Sequence, residues 1–327
     1  MLDLAHGTLP RDLRKATAYA MMGVAAVGGV GAATSSADAG IVRDPYSVWD
    51  PYARAQGQNY LVGGPGLQGG GAIHLRITGA DANGVYATRN TSGIFLGNYY
   101  DPQQGGMRSL YVTAEHNIAD FYNAFDVSST VRTGSNFNTD PGQVIGVNRW
   151  VTGNMSASRN PSMRDYSFFW GNTTVTGSNV NNVVFGEAFG NLAFVGYGRT
   201  GSEAQGNLGI DGNARAVFSP LDTGVFFGFN PEIYKQGISL SGNQLAGLGR
   251  VTSGYSGALV VNSLGQTVGM AVAGSVGTQF NGVSVFQSFW NDPVFMGQFN
   301  ELSTAVPSPG ALSLLGLAGL VGSRRRR

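Results

Sequence analysis

Short apolar runs, each closed off by glycine or a turn residue, constrain this chain more than any other feature. Ile73-His74-Leu75-Arg76-Ile77 alternates strictly, which predicts a strand with Ile73, Leu75 and Ile77 on one face. On this reading His74 and Arg76 share the solvated face. Asn83-Gly84 then carries the signature of a hairpin turn, and Gly93-Ile94-Phe95-Leu96-Gly97 predicts the next buried strand. Helix formers are scarce, with two lysines and five glutamates among 327 residues, whereas glycine reaches 51. An all-β, turn-rich fold follows. The length suits one large or two small domains with a sizeable core. The absence of a fixed repeat period disfavours a β-helical adhesin.

Charge narrows the function classes. Three of the 20 basic residues precede residue 40 and four are Arg324–Arg327, leaving 13 against 16 of the 19 acidic residues. A slightly acidic body offers no electrostatic footprint for nucleic acid. With no cysteine, disulfides, thiolate catalysis and Cys-based zinc sites are excluded. Gly63-Gly64-Pro65-Gly66-Leu67-Gln68-Gly69-Gly70-Gly71 lacks the Gly-Lys-Ser/Thr ending of a phosphate loop, so 40–72 is expected to be a flexible lead-in, with regular structure starting at Ile73.

Chemistry is concentrated in three segments. In Val251-Thr252-Ser253-Gly254-Tyr255-Ser256-Gly257-Ala258-Leu259-Val260-Val261, Ser256 stands between glycines and ahead of an apolar run. Glycines allow a tight turn that lifts a hydroxyl off the chain. The same turn can aim the Gly254 and Ser256 N–H groups at one point, as an oxyanion hole requires. Leu110-Tyr111-Val112-Thr113-Ala114-Glu115-His116 runs a strand into one of only three histidines, and strand ends are where rigid scaffolds present catalytic groups. Asp165 leads directly into Tyr166-Ser167-Phe168-Phe169-Trp170. A carboxylate there can either accept an imidazole N–H or serve as an ordinary turn residue.

Together these segments resemble the chymotrypsin/trypsin-like serine protease family. Thr113-Ala114-Glu115-His116-Asn117 is similar to T-A-A-H-C, and Asp165-Tyr166-Ser167-Phe168-Phe169 to D-I-A-L-L. Phe194-Val195-Gly196-Tyr197-Gly198-Arg199-Thr200-Gly201 resembles V-x-G-[WY]-G-x-T-G, and Gly254-Tyr255-Ser256-Gly257-Ala258-Leu259-Val260 resembles G-D-S-G-G-P-L-V, with Val268-Gly269-Met270 beyond it. The order His, Asp, Ser is the family's own. The resemblance implies two antiparallel six-stranded β-barrels with the active site in the cleft between them. It implies Ser256 as nucleophile, His116 as general base and acid, and Asp165 as the group orienting the imidazole. It also implies that the Gly254 and Ser256 N–H groups hold the oxyanion. No metal or cofactor is implied, and the substrate is a protein or peptide. Three departures are evident: Tyr255 replaces the aspartate that pairs with a freed N-terminal ammonium, Glu115 replaces a small residue, and Val272-Ala273-Gly274 replaces Ser-Trp-Gly along the substrate cleft. The resemblance makes Gly274 a substrate-binding position and, counting six residues back from Ser256, places Arg250 at the base of the specificity pocket. Cleavage after Asp or Glu is the corresponding expectation, the alternative being that a one-residue gap in this Gly-rich loop turns Arg250 out to solvent.

Both ends read as addresses. Arg11, Arg14 and Lys15 precede an apolar run from Ala16 to Ala33 and the Ala37-Asp38-Ala39 cleavage pattern, the plan of a secretory signal peptide. Val306-Pro307-Ser308-Pro309, an apolar stretch and Arg324–Arg327 resemble a PEP-CTERM sorting tail of bacterial exported proteins, with Ser308 in place of the usual glutamate. That likeness implies signal peptidase and an exosortase-type enzyme as processing partners, with delivery to the bacterial cell surface, outer envelope or extracellular matrix. The chain thus divides into a signal peptide (1–39), a lead-in (40–72), a double-barrel domain (73–298, the barrels meeting near 190), a linker (299–309) and the tail (310–327). Two functions fit the whole: an exported serine endopeptidase, or a catalytically inactive trypsin-like homologue acting as a surface or matrix binding protein.

Overall fold

The computed structural model describes residues 40–42, 46–80, 85–121, 127–152, 164–198, 200–202, 206–209, 211–222, 230–238, 255–274 and 283–305. Strand β1 (Gly40–Val42) and helix α1 (Tyr46–Gln58) come first. The next six strands are β2 (Gly71–Ala80), β3 (Tyr86–Asp101), β4 (Gly106–Thr113), β5 (Ser128–Arg132), β6 (Val144–Thr152) and β7 (Ser167–Gly171). They pair antiparallel in the order β2-β3-β4-β7-β6-β5 and close on themselves. After β8 (Asn191–Gly196), the strands β9 (Thr200–Ser202) and β10 (Gly206–Gly209) form a small sheet with β1. Strands β11 (Arg215–Asp222), β12 (Tyr234–Ile238), β13 (Leu259–Val261), β14 (Thr267–Gly274) and β15 (Val283–Ser288) join β8 in a second closed antiparallel barrel, ordered β11-β12-β15-β14-β13-β8. Helix α2 (Pro293–Ser303) follows. The all-β, two-barrel architecture that the resemblance implied is the one observed.

Period-two alternation explains where the cores lie. Ile73, Leu75, Ile77, Phe95, Tyr111, Val131 and Phe169 fill the first barrel, and Leu192, Phe194, Val217, Val260 and Phe286 fill the second. The intervening residues Ala72, Ile94, Val112, Val195, Leu259 and Met270 form a third apolar cluster, so strands that face a neighbouring barrel are buried on both faces. That corrects the reading of His74 as solvated. It is fully buried, stacked on Phe137 at 4.0 Å and edge-on to Tyr197 at 5.5 Å, whereas Arg76 on the same face is exposed. Burial, reinforced by the charge of Arg132, pushes the imidazole down to about 3.

The lead-in also departs from expectation, because helix α1 lies within it and packs on β11. Helix α2 starts before the expected linker and runs into it. Pro293 opens the helix, and Asp292 caps it by accepting the N–H groups of Val294 and Phe295. Its Phe295 stacks on Phe289 and meets Tyr166 and Phe168, tying the second barrel's final strand to β7 of the first.

Candidate active site

Sheet pairing brings the histidine and the aspartate together. Thr113 at the end of β4 is registered with Ser167 at the start of β7, so the chain leaving one strand runs beside the chain entering the other. His116 lies in a 3-10 turn, Glu115–Asn117, directly after β4. Asp165 Oδ1 accepts the His116 main-chain N–H at 3.0 Å, and Asp165 Oδ2 lies 2.6 Å from His116 Nδ1. A carboxylate only accepts, so in the neutral ring the proton sits on Nδ1 and the lone pair on Nε2. Both side chains are mostly covered, at 13% and 18% exposure, which shields the pair from full solvent screening.

The second barrel holds the carboxylate's main chain in place. Gln287 on β15 accepts the Asp165 N–H at 3.0 Å and donates to Asp292 at 3.0 Å, and Asp292 binds Arg164 Nε through both oxygens at 2.8 and 2.9 Å. Tyr234 also reaches the Asp165 main chain. Burial first, and then the charges of Asp165 and Asp292, push its phenol above its ordinary range, so it stays protonated beside them.

Ser256 lies on a turn built from close contacts. Ala258 N–H closes it onto Tyr255 O at 2.7 Å, while Gly257 N–H and Ala258 O bond Ala271 on β14. Gly257 has φ +88°, and a Cβ there would come within 2.2 Å of Ser92 O and 2.4 Å of Thr113 Oγ1. Only glycine satisfies both demands. The carbonyl of Ser256 accepts from Thr91 Oγ1 at 2.8 Å and from Asn117 Nδ2 at 3.0 Å. Asn117 also donates to Thr113 Oγ1, which donates to Ser92 O, and Ser92 Oγ accepts the Tyr197 N–H. Arg89 binds the His116 and Asn117 carbonyls, both at 3.2 Å. The turn is therefore stitched to the first barrel by the residue that follows His116. Among the described residues the Ser256 hydroxyl makes no hydrogen bond to the His116 ring; the Asn117 amide links the two segments.

Sequence reasoning missed Thr91, Ser92, Asn117, Arg89 and Gln287. The available signal was a hydroxyl pair, Thr91-Ser92, directly before the apolar Gly93–Gly97 run. Of the departures, Tyr255 and Glu115 are both fully buried rather than surface variations. Glu115 lies near Tyr166, whose phenol donates to Gln298 Oε1 at 2.6 Å. Ala273 and Gly274 continue β14, registered with Val285 and Ser284. Gly254 and Arg250 lie outside the described residues. No group of His, Asp and Glu suited to a metal ion exists among the described residues.

His116 and Asp165 thus lie beside paired strand ends of one closed antiparallel barrel, and Ser256 on a turn leading into β13 of the other. Solved structures similar to the chain include a thermostable serine protease, AL20, from an extremophilic microorganism (13% identity, 72% of this chain and 97% of that one, TM-score 0.47). Others are the protease Anisep from Arthrobacter nicotinovorans (13% identity, 71% and 95%, TM-score 0.48) and HL collagenase (12% identity, 71% and 94%, TM-score 0.46). No residue role is carried over from them. No family model matches the sequence, and no curated protein matches it.

Proposed function

We propose that this protein is a serine endopeptidase. Ser256 Oγ attacks the scissile carbonyl while His116 Nε2 takes its proton. The tetrahedral oxyanion rests on the Gly254 and Ser256 N–H groups, and one such donor is worth about 3 kcal/mol of barrier. The C–N bond then breaks as His116 returns the proton to the leaving amine, and water resolves the acyl-enzyme by the reverse sequence. Asp165 fixes the ring tautomer and stabilises the imidazolium. The observation that carries this reading is the 2.6 Å contact between His116 Nδ1 and Asp165 Oδ2, made while the second carboxylate oxygen holds the same residue's main chain.

Labelling with a fluorophosphonate probe, followed by peptide mass mapping, tests it. Wild type takes one label at Ser256, and Ser256→Ala takes none. Folded wild type that stays unlabelled overturns the reading in favour of a binding role. A peptide library read with Arg250→Ala tests the proposed preference for cleavage after Asp or Glu, which rests on the position of Arg250 in the sequence.

The setting we propose is the exported envelope of a bacterium, with signal peptidase and an exosortase-type enzyme removing the ends. The basic-apolar-AxA start and the apolar, arginine-terminated finish support it. Intact mass of native surface material that retains Met1 or Arg327 counts against it.

A further inference from the structure

Besides its main-chain bonds, the turn that carries Ser256 is anchored by the side chain that precedes the serine. The side chain there is Tyr255, 1% exposed. Its ring fills a slot against β8 and the residues beyond it: a Cβ at Gly198 would come within 2.0 Å of Tyr255 Cδ2, and one at Gly196 within 3.1 Å of Cδ1. Arg215, also 1% exposed, is registered on β11 with Gly196 of β8, the residue against which the Tyr255 ring packs, and lies two residues before Val217 of the same buried cluster as Tyr255. A buried guanidinium is tolerated only when well paired. One partner, Asp211, reaches it from the half-exposed side at 2.7 and 2.5 Å. The other, Asp50, is buried and comes from helix α1, its Oδ1 lying 2.6 Å from both Nε and Nη2 of Arg215. Arg54, one helical turn on, occupies the second oxygen of Asp50.

The helix is seated firmly enough to transmit this contact. A Cβ at Gly57 would lie 2.8 Å from Ala214 O and 2.9 Å from Arg215 Cα, so the helix backbone touches the strand at the arginine itself. Ala53 is fully buried in the same apolar cluster as Tyr255, Ala258 and Val217. A continuous packed path thus runs from α1 through Arg215 and Tyr255 to the serine.

We propose that α1 is a built-in positioning element: Asp50 anchors Arg215 against Tyr255 and so sets the main chain of the turn that carries Ser256. This rests on the reading of Ser256 as nucleophile. Asp50 and Arg215 touch no reacting atom and act only through Tyr255. Without the Asp50 charge, Arg215 keeps Asp211 and the Asn213 carbonyl on its half-exposed side and is drawn that way, and the slot under the turn loses its floor.

Asp50→Asn and the conservative Asp50→Glu, made in the full chain, test this with three readouts. Asp50→Asn is expected to unfold cooperatively while the Gly257 and Ala258 amides, bonded to Ala271 O and Tyr255 O, exchange about tenfold faster. Fluorophosphonate labelling and kcat on a peptide substrate fall together by about tenfold, with KM unchanged, because a misplaced nucleophile affects the reacting geometry rather than substrate binding. Asp50→Glu recovers most of both. Unchanged exchange at those two amides in folded Asp50→Asn overturns the proposal. Should that variant not fold, Arg215→Lys, which keeps the charge but cannot bridge both carboxylates, is expected to show the same faster exchange, and unchanged protection there also overturns it. Wild type that takes no label removes the hydrolase reading, while the exchange comparison still decides whether α1 positions the turn.

Discussion

The first barrel brings its candidate reactive pair together through its own strand register, whereas the candidate nucleophile turn of the second barrel, bonded to Ala271 of its own β14, is also clasped from outside. His116 and Asp165 sit at the ends of paired strands, and their contact follows once Thr113 is registered with Ser167. Ser256 depends instead on Thr91 and Asn117 from the other barrel, and on a slot backed by Arg215 and helix α1. A pair brought together by strand register, with Gln287 of the other barrel bracing one member, depends mainly on that register. A turn stitched across two bodies is sensitive to how those bodies sit together. The contrast shows which half of such a site can be disturbed without unfolding either barrel.

Asp165→Asn strikes the within-sheet half and carries the largest expected effect. The amide cannot accept the ring proton as the carboxylate does, so kcat at neutral pH falls by about 10^4-fold, measured on a chromogenic peptide, while the turn keeps its contacts. Gly257→Ala strikes the other half. A Cβ forced to 2.2 Å from Ser92 O must displace the turn, and a nucleophile moved by about 1 Å costs about 10^2-fold in kcat. In that variant the His116–Asp165 pair is expected to stay intact, visible as an unchanged imidazole N–H proton resonance.

Asn117→Ala removes one stitch, the 3.0 Å bond to Ser256 O. Thr91 still serves that carbonyl, so the loss is that of one net hydrogen bond, about 0.5–1.5 kcal/mol. Combined with Thr91→Val in a double-mutant cycle on labelling rate, it is expected to show coupling, because both donors serve the same carbonyl. Additive effects would falsify the idea of a shared clasp.

The smallest effect on activity, and a separate one on stability, belongs to His74. It lies between the barrels with its imidazole held down at about 3, against an ordinary value of 6.5. Between those values the unfolded chain binds a proton that the native protein does not. Stability therefore falls as pH is lowered through that window, by up to about 1.4 kcal/mol per unit. Denaturant unfolding of wild type and His74→Gln from pH 7 to pH 4 is expected to show the shallower slope in the variant. Matching slopes would mean that His74 does not carry the acid loss in this window.

The strands and the reactive segments were legible because their signals are local. Alternation at Ile73–Ile77 set which residues enter the first barrel, and the run Leu259–Val261 marked the buried strand behind Ser256. The segments around His116, Asp165 and Ser256 are likewise short and recognisable in order, without reference to anything distant. Tertiary structure decided the rest. Alternation separates the two faces of β2 but cannot say that a second barrel covers one of them, so His74 read as solvated and is buried. Pro45, Pro51 and the glycine-rich run 63–71 masked a helix whose stability comes from seating Ala53 and Gly57 on β11 rather than from its own propensity. Thr91 and Asp50 meet their partners Ser256 and Arg215 across 165 residues each, and Asn117 meets Ser256 across 139. Periodicity reports on neighbours a few residues apart, whereas these contacts exist only because two closed barrels bring distant strand ends to one seam.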